Sequence, residues 1–549
     1  MYGGGINEPK RRDTFKGRYS LFAKGEMNVK NKILTVLTII LFVLASFSVG
    51  IAKNVSAASE TEIEDAIVKG LAWLDSQQQP DGSWQYWLGW PSPDVDVATT
   101  GLVVLKFVDR AKELGKDPFN PAEYEYADNV IKGFDYIFSQ AISDANGVHF
   151  PFFLDVYDTG ISMMAVAASN KPGRVITTGP LNGQTYIWAL QKMMDWMAYA
   201  QNKAGVEIGG WGYTGPNPGW SDNSNSGYAS IGIGFASAAP PDGFDLTIPP
   251  SVLTLLSTFI DNVQVDAGPY MGGSIYNPAW GMSPGWVNIL KTGNLLYQLA
   301  LVGDSPDSAR VLAAISFIET YWNNFAAVAD GGGWKGDYQA MFALMKGMQA
   351  FGIDEITVSG NPVDWFDEVS TYIVQHQDPA GFWVSTHGEP TNVPTINTAW
   401  ALLTLERAVP EVVKQVFVDI KPASWPNPIE IKSKGVLPVA VLGTEDFDVT
   451  VIDPASIRLS REGVEGQVAP IRWSYEDVAT PFEGPPGGGH ALGADGYLDL
   501  ALKFDTQEVV TTLELGDVVG QTIPLVVTGN LKPEFGGTPV KGQDYVRVQ

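Results

Sequence analysis

Apolar and polar positions along this 549-residue chain follow one plan repeated six times between Glu62 and Glu406. Each copy predicts an apolar helix, a Gly-rich loop that usually carries Trp, and a second helix opening on a small polar pair. The first copy reads Gly70-Leu71-Ala72-Trp73-Leu74, then Gln77 to Trp84, then Thr99-Thr100-Gly101-Leu102-Val103-Val104-Leu105. The last reads Tyr372 to Gln377, Gly381-Phe382-Trp383 and Asn397 to Leu403. Between them lie copies centred on Asn146 to Phe150, Gly209 to Tyr213, Gly272-Gly273-Ser274 with Trp280, and Gly331 to Trp334. A repeat of this kind cannot bury its apolar face alone and must stack on its neighbours. Six hairpins of similar length predict closure into an (α/α)6 toroid with a central cavity, because closure removes the need for polar capping repeats; an open solenoid is the competing arrangement. After Pro410 the period changes to short strands separated by turn residues, among them Val416 to Pro422, Val436 to Leu442, Leu498 to Phe504 and Ile523 to Val527. Their alternation predicts an antiparallel β-sandwich of about 130 residues. The expected plan is an all-α toroid over 58–410 and an all-β sandwich over 411–549, behind an extension at 1–57.

That extension reads as a targeting segment. Lys30 and Lys32 precede an apolar run from Ile33 to Ala52, and Val55-Ser56-Ala57 offers the small residues of a cleavage site before Ala58. A run of this length also suits a membrane anchor, but Ser46, Ser48 and Gly50 dilute its end and favour cleavage. Met27 is the alternative start. Either way the chain after Ala58 is expected outside the cell, free or tethered to its surface. Without residues 1–57 the balance is 26 basic against 58 acidic residues, a net charge of −32. Such a chain repels phosphate backbones, so nucleic acid is excluded as a partner. Cysteine is absent, which removes disulfides and thiolate zinc sites.

The Gln-x-x-x-Gly-x-Trp element, intact at Gln78 to Trp84 and Gln377 to Trp383 and partial at Gln201 to Trp211, resembles the repeat of the terpenoid cyclase and protein prenyltransferase superfamily. The resemblance spans roughly Ala58 to Pro410 and implies a toroid in which Gln and Trp tie each hairpin to the next. It implies no single chemistry, because one fold hosts many functions. The nearest segment to the Asp-x-Asp-Asp acid motif of class II cyclases is Asp94-Val95-Asp96-Val97, which lacks the last carboxylate and lies in the first repeat. Polyene cyclisation is therefore not expected, and Asp94 and Asp96 read first as loop and cap residues. Zinc prenyl transfer is excluded by the missing Cys and by the scatter of His149, His376, His387 and His490. The second domain resembles an accessory module of secreted microbial proteins through Asp419-Ile420-Lys421-Pro422, Lys434 to Thr444 and Asp495 to Leu500.

Aligning the inner helices on their small polar starts places Thr99, Asp158, Asn225, Lys291, Asp337 and Asn397 at one mouth of the ring. Capping of free helical N–H groups explains such residues, except Lys291, which is unfavourable near a helix N-terminus and for which the adjacent copy offers Asp337 as a partner. Asp158 and Asp337 belong to opposite repeats, and Asp222 enters the same mouth. With Asp96 they are the candidate catalytic carboxylates for work on sugars, which needs two carboxyl groups at a set separation. Aromatic residues exceed what six loops need for packing, so Trp84, Trp211, Tyr213, Trp220, Trp334 and Trp383 are candidate ligand contacts. His376 and His387 flank the Trp383 loop, a weak metal signal. In the β-domain, Asp495 and Asp499, with Glu445, Asp446, Asp448 and Asp453, offer oxygen ligands to calcium, against a reading as solvated turn carboxylates. The expected function is binding of a prenyl-like or saccharide ligand in the central cavity. The alternatives are a carbohydrate-active lyase or hydrolase using the cavity carboxylates, and a structural cell-surface protein.

Overall fold

The computed structural model describes residues 57–549 apart from 216–219, 281–286, 325–332, 387–392, 408–413, 445–446, 462, 465, 483, 485–486, 533–534 and 536–538. The targeting segment, the boundary at Pro410, His387, Gly331, Gly332, Glu445 and Asp446 lie outside the described residues.

In the first of its two regions, helices alternate between an outer and an inner layer. The outer ones are α1 (Glu60–Gln77), α3 (Ala127–Gln140), α5 (Tyr186–Ala200), α7 (Pro250–Val263), α9 (Ala309–Tyr321) and α11 (Trp365–Gln375). The inner ones are α2 (Pro93–Glu113), α4 (Asp155–Ala168), α6 (Asn223–Ser237), α8 (Ile289–Leu301), α10 (Tyr338–Ala350) and α12 (Pro394–Leu405). Each inner helix packs on the next, and α12 returns to α2, so the ring is closed. Closeness of approach is built in: a Cβ on Gly160 of α4 or Gly232 of α6 would strike the backbone of the other helix.

The repeat motif is the mortar of the seams. In four copies a Gln amide donates both to its own loop and to the next outer helix: Gln78 to Gly82 O and Asn129 O, both at 3.0 Å, Gln201 to Gly209 O at 2.9 Å and Val252 O at 3.0 Å, Gln264 to Gly272 O at 3.3 Å and Arg310 O at 2.8 Å, and Gln377 to Gly381 O and Ala66 O, both at 2.9 Å. The last of these joins the sixth hairpin to the first. The motif glycine holds a positive φ, +93° at Gly82 and +102° at Gly381, where a Cβ would collide with the Lys132 or Lys69 carbonyl. Indole N–H groups of Trp84, Trp211 and Trp383 donate to Leu74 O at 2.7 Å, Met197 O at 2.9 Å and Ile373 O at 2.8 Å. In four copies the second member of the small polar pair ties the loop to its helix, as Thr100, Ser226, Thr292 and Thr398 accept the N–H of Trp84, Trp211, Ser274 and Trp383. These groups satisfy backbone that would otherwise be buried unpaired.

Two short hairpins decorate the ring, β1 (Ile142–Asp144) with β2 (Gly147–His149) and β3 (Glu355–Val358) with β4 (Asn361–Asp364). The C-terminal region holds β5 (Lys414–Gln415), β6 (Phe417–Ile420), β7 (Pro428–Ile429), β8 (Val436–Leu442), β9 (Ile452–Ser460), β10 (Gln467–Val468), β11 (Arg472–Glu476), β12 (Asp499–Asp505), helix α13 (Thr506–Thr512), β13 (Thr522–Leu531) and β14 (Pro539–Val548). One sheet runs β10-β9-β13-β14-β5, with β7 also on β14, and the other β11-β12-β8-β6. Ile420, Val439, Val441, Leu500 and Leu502 of one sheet share a core with Ile457, Leu459, Leu525, Val527 and Val546 of the other, the interior of a sandwich. Lys541 Nζ reaches Asp245 O at 2.6 Å and pairs with the Asp245 carboxylate, while Lys414 Nζ donates to Gly303 O at 2.6 Å, so two lysines pin the sandwich to the ring. Among the described residues no helix is long and apolar enough to cross a membrane.

Candidate functional site: the aromatic mouth of the ring

The axis of the ring is filled. Trp400 Nε1 on α12 donates to Tyr228 OH on α6, directly across the ring, at 3.0 Å. Lys346 of α10 donates to Asn294 Oδ1 of α8 at 3.0 Å and lies 5.3 Å and 5.1 Å from the ring centres of Tyr228 and Phe342. Burial pushes the Lys346 ammonium down to about 7, because desolvation disfavours the charged form.

The mouth lies above this plug, at the N-termini of the inner helices, whose loops all emerge on one side. Four aromatic side chains stand in solvent there, Trp87 at 49%, Trp90 at 72%, Phe153 at 66% and Trp280 at 46% exposure. Behind Phe153 and Trp280 is a half-buried layer. Tyr213 stacks on Phe153 at 5.4 Å and on Tyr157 at 6.0 Å, and its hydroxyl is 2.8 Å from that of Tyr276. Trp280 meets Trp220 edge-on at 5.2 Å and lies 5.4 Å from Tyr276, whose ring also faces Lys291 Nζ at 5.7 Å. Large apolar surface left exposed and gathered in one place marks a surface that meets something else.

The candidate carboxylates differ in how their oxygens are spent. Asp222 caps α6: Oδ1 accepts from Asn225 N at 2.9 Å and Ser224 Oγ at 2.6 Å, and Oδ2 from Asn225 Nδ2 at 2.8 Å and Trp220 Nε1 at 3.2 Å. Burial raises its pKa against those four hydrogen bonds. Asp96 accepts from Tyr86 N at 2.8 Å and Ser92 N at 2.7 Å and so folds the loop before α2 back onto its first turn; burial raises its pKa as well. Asp337 caps α10 through Ala340 N at 3.0 Å. Asp158, fully buried in the first turn of α4, accepts from Ala98 N at 2.8 Å with Oδ1, while Oδ2 has no hydrogen-bond partner. Burial holds its pKa well above the usual carboxylate range, and the charges of Asp155, Asp94 and Asp96 push the same way. Asp155 itself accepts from His149 Nδ1 at 2.9 Å, and that imidazole stacks on Trp196 at 4.8 Å.

The six aromatic candidates divide sharply. Trp84, Trp211, Trp334 and Trp383 are fully buried, three in the indole bonds described above and Trp334 against Trp322 at 4.9 Å. Only Tyr213 and Trp220 reach the mouth. Phe153, Tyr157 and Tyr276 carry no motif signal in the sequence; Phe153 precedes α4 directly, Tyr157 sits in its first turn and Tyr276 in the loop ahead of α8. In the sandwich, Asp499 accepts from Gly443 N at 3.0 Å, Val478 N at 2.8 Å and Ala479 N at 3.0 Å, and Asp495 from Tyr497 N at 3.0 Å. Both are turn clamps in the structure, and among the described residues no three His, Asp or Glu side chains gather to hold a metal ion. A second concavity, about 2430 Å³, runs between the sandwich and outer helix ends and is lined by Trp188, Asp261, Arg310, Phe447 and Tyr545 among others.

No protein-family model and no curated protein matches the sequence. Among solved structures, the chain is similar to the α-1,6-mannanase GH76A of Salegentibacter sp. HEL1_6, at 11% identity and TM-score 0.38. It is similar also to inactive variants of that enzyme with α-1,6-mannotriose, at 10% and 0.39, and with α-1,6-mannotetrose, at 10% and 0.40. Each alignment covers 63% of this chain and 98% of the mannanase. The likeness is one of fold. These neighbours are mannanases rather than terpenoid cyclases or prenyltransferases, which overturns the superfamily expected from the Gln-x-x-x-Gly-x-Trp repeat. The physical reason lies in what that motif does: it fastens hairpin to hairpin, so it reports how a ring is assembled and not what the ring holds. With Tyr228, Trp400 and Lys346 across the axis, the expected central cavity for a prenyl-like chain is occupied by side chains.

Proposed function

We propose that the mouth binds a saccharide, presented to Trp87, Trp90, Phe153 and Trp280 from the solvent side. The observation that carries this reading is the set of four exposed aromatic side chains, two of which, Phe153 and Trp280, are backed by the Tyr213 and Tyr276 hydroxyls at 2.8 Å from each other. Sugar rings offer apolar faces that stack on aromatics and hydroxyls that hydrogen-bond, and this layer offers both partners. Titration of the full chain with manno-, gluco- and xylo-oligosaccharides, followed by Trp fluorescence and calorimetry, tests it. Trp280→Ala and Phe153→Ala should each weaken binding roughly 2- to 12-fold, the worth of about 0.5 to 1.5 kcal/mol of stacking. Their melting temperatures should stay near that of the parent, because both side chains are already exposed. Absence of binding across the panel would return the ring to the structural cell-surface reading.

A second reading is hydrolysis of the bound saccharide. It is favoured by Asp158, a buried acid with an unpartnered Oδ2 whose burial raises its pKa, the direction a general acid needs. Release of reducing ends from an oligosaccharide, abolished by Asp158→Asn, supports it; activity retained in that variant removes Asp158 from the chemistry. Action outside the cell rests on the Lys-flanked apolar run and the small residues Val55-Ser56-Ala57, and N-terminal sequencing of protein from the producing cell should begin at or next to Ala58.

A further inference from the structure

The sandwich contains a small cavity that the carbohydrate reading does not use. Its volume is about 20 Å³, and it is lined by Asp419, Asn427 and Asp544 together with Val418, Trp425 and His490. That is space for one water or one ion. Asp419 is 8% exposed, and among the described residues no donor is hydrogen-bonded to its carboxyl group. Asp544 accepts from Ile420 N at 2.7 Å and Asn427 Nδ2 at 2.8 Å with Oδ2, and from Tyr545 N at 2.7 Å with Oδ1.

A second and independent observation is Asn427. This residue is 1% exposed, and its amide nitrogen is fixed by the Asp544 carboxylate and by Tyr545 O at 3.0 Å. The nitrogen being fixed, the amide oxygen is fixed too, and Oδ1 is buried with no partner. Among the described residues no Lys or Arg lines the cavity. The His490 ring is engaged at both nitrogens, with Pro481 O at 3.2 Å and Leu492 N at 3.4 Å, so it offers no lone pair inward.

We infer that this cavity is a calcium site, with the Asp419 carboxylate, Asp544 Oδ1 and Asn427 Oδ1 as its protein oxygen ligands. An orphaned amide oxygen and an unpaired carboxyl buried together are costly unless something positive or a donor sits between them. All three donors are hard oxygens, the choice of Ca²⁺, which accepts irregular sets completed by water and backbone oxygens; Mg²⁺ demands near-octahedral geometry and gives up water reluctantly. The site is separate from Asp499, both of whose oxygens accept backbone N–H groups, and from Asp495, whose Oδ1 accepts from Tyr497 N.

Thermal unfolding of the full chain in EDTA and in millimolar CaCl₂ or MgCl₂ tests the inference. Ca²⁺ should raise the melting temperature by several degrees, as an ion binding only the folded state does, and Mg²⁺ should do so much less. Asp419→Asn should abolish the rise while melting in EDTA no lower than the parent, because it removes a buried unpaired carboxyl; a merely structural Asp419 would lower the EDTA value. Asp495→Asn should keep the full rise. Tb³⁺ gives a second readout that does not depend on stability: Trp425 lines the cavity, so excitation of Trp should sensitise Tb³⁺ emission, and Trp425→Phe should remove it. Equal melting in Ca²⁺ and EDTA, or a calcium shift that survives Asp419→Asn, overturns the site.

Discussion

The seam that closes the ring contains one side chain that can be removed cleanly. Gln377 Nε2 donates to Gly381 O within its own loop and to Ala66 O of the first outer helix, both at 2.9 Å. Gln377→Leu keeps the side-chain bulk and removes both bonds. A net contribution of about 0.5 to 1.5 kcal/mol per bond gives a loss of about 1 to 3 kcal/mol. For a helical ring of roughly 350 residues, an unfolding entropy of about 2.1 cal/mol/K per residue converts this into a fall of roughly 1.5 to 4 °C. The reference is Gln201→Leu, which removes the equivalent pair, to Gly209 O and Val252 O, at a seam inside the ring. Circular dichroism at 222 nm during heating of the full chain gives both values under one condition. In a closed ring the two losses are comparable, with Gln377 the smaller because it is only partly buried. In an open solenoid the bond to Ala66 does not exist. A Gln377→Leu protein melting within about 0.5 °C of the parent, beside a Gln201→Leu protein that falls by the expected amount, would refute closure.

Trp383→Ala should cost about 3 to 5 kcal/mol of stability, since the indole is fully buried, whereas Trp90→Ala should cost almost none; melting curves of the two separate mortar from mouth. Asp222→Ala strips four hydrogen bonds from the start of α6 and should destabilise by about 2 kcal/mol or more, measured by urea unfolding, while Asp222→Asn should recover part of that. Lys346 has a folded-state pKa of about 7, depressed from 10.5, so the unfolded chain holds more protons between those values and stability from this group rises with pH across that window. Lys346→Met should flatten that rise in melting temperature between about pH 7 and 10; a difference between the two proteins that does not change with pH would contradict a desolvated lysine on the axis. Lys541→Met cuts the pin to Asp245, and calorimetry should then resolve the ring and the sandwich into better separated transitions.

Several features could be read directly from the chain. Six returns of helix, Gly-rich loop and helix specify stacked hairpins whose number favours a ring over an open solenoid, and strand-length alternation after Pro410 specifies a sandwich, because the apolar face of each unit is encoded within a dozen residues of itself. The small polar pairs were legible as helix starts, yet their alignment shifted: α2 begins at Pro93, six residues before Thr99, and the capping side chains are Asp222, Asn288 and Asp337 rather than Asn225 and Lys291. Tertiary packing decided what the loops and the axis do. Trp84 and Trp87 are three residues apart in one loop, yet one is sealed against Leu74 and the other stands in solvent, because the positive φ at Gly82 and the passing carbonyl of Lys132 fix which way the backbone turns. Tyr228 and Trp400 lie 172 residues apart and close the axis only when the ring is complete. Local pattern determines which surfaces must be buried; which side chains remain for a ligand depends on contacts between segments distant in sequence, and periodicity carries no record of those.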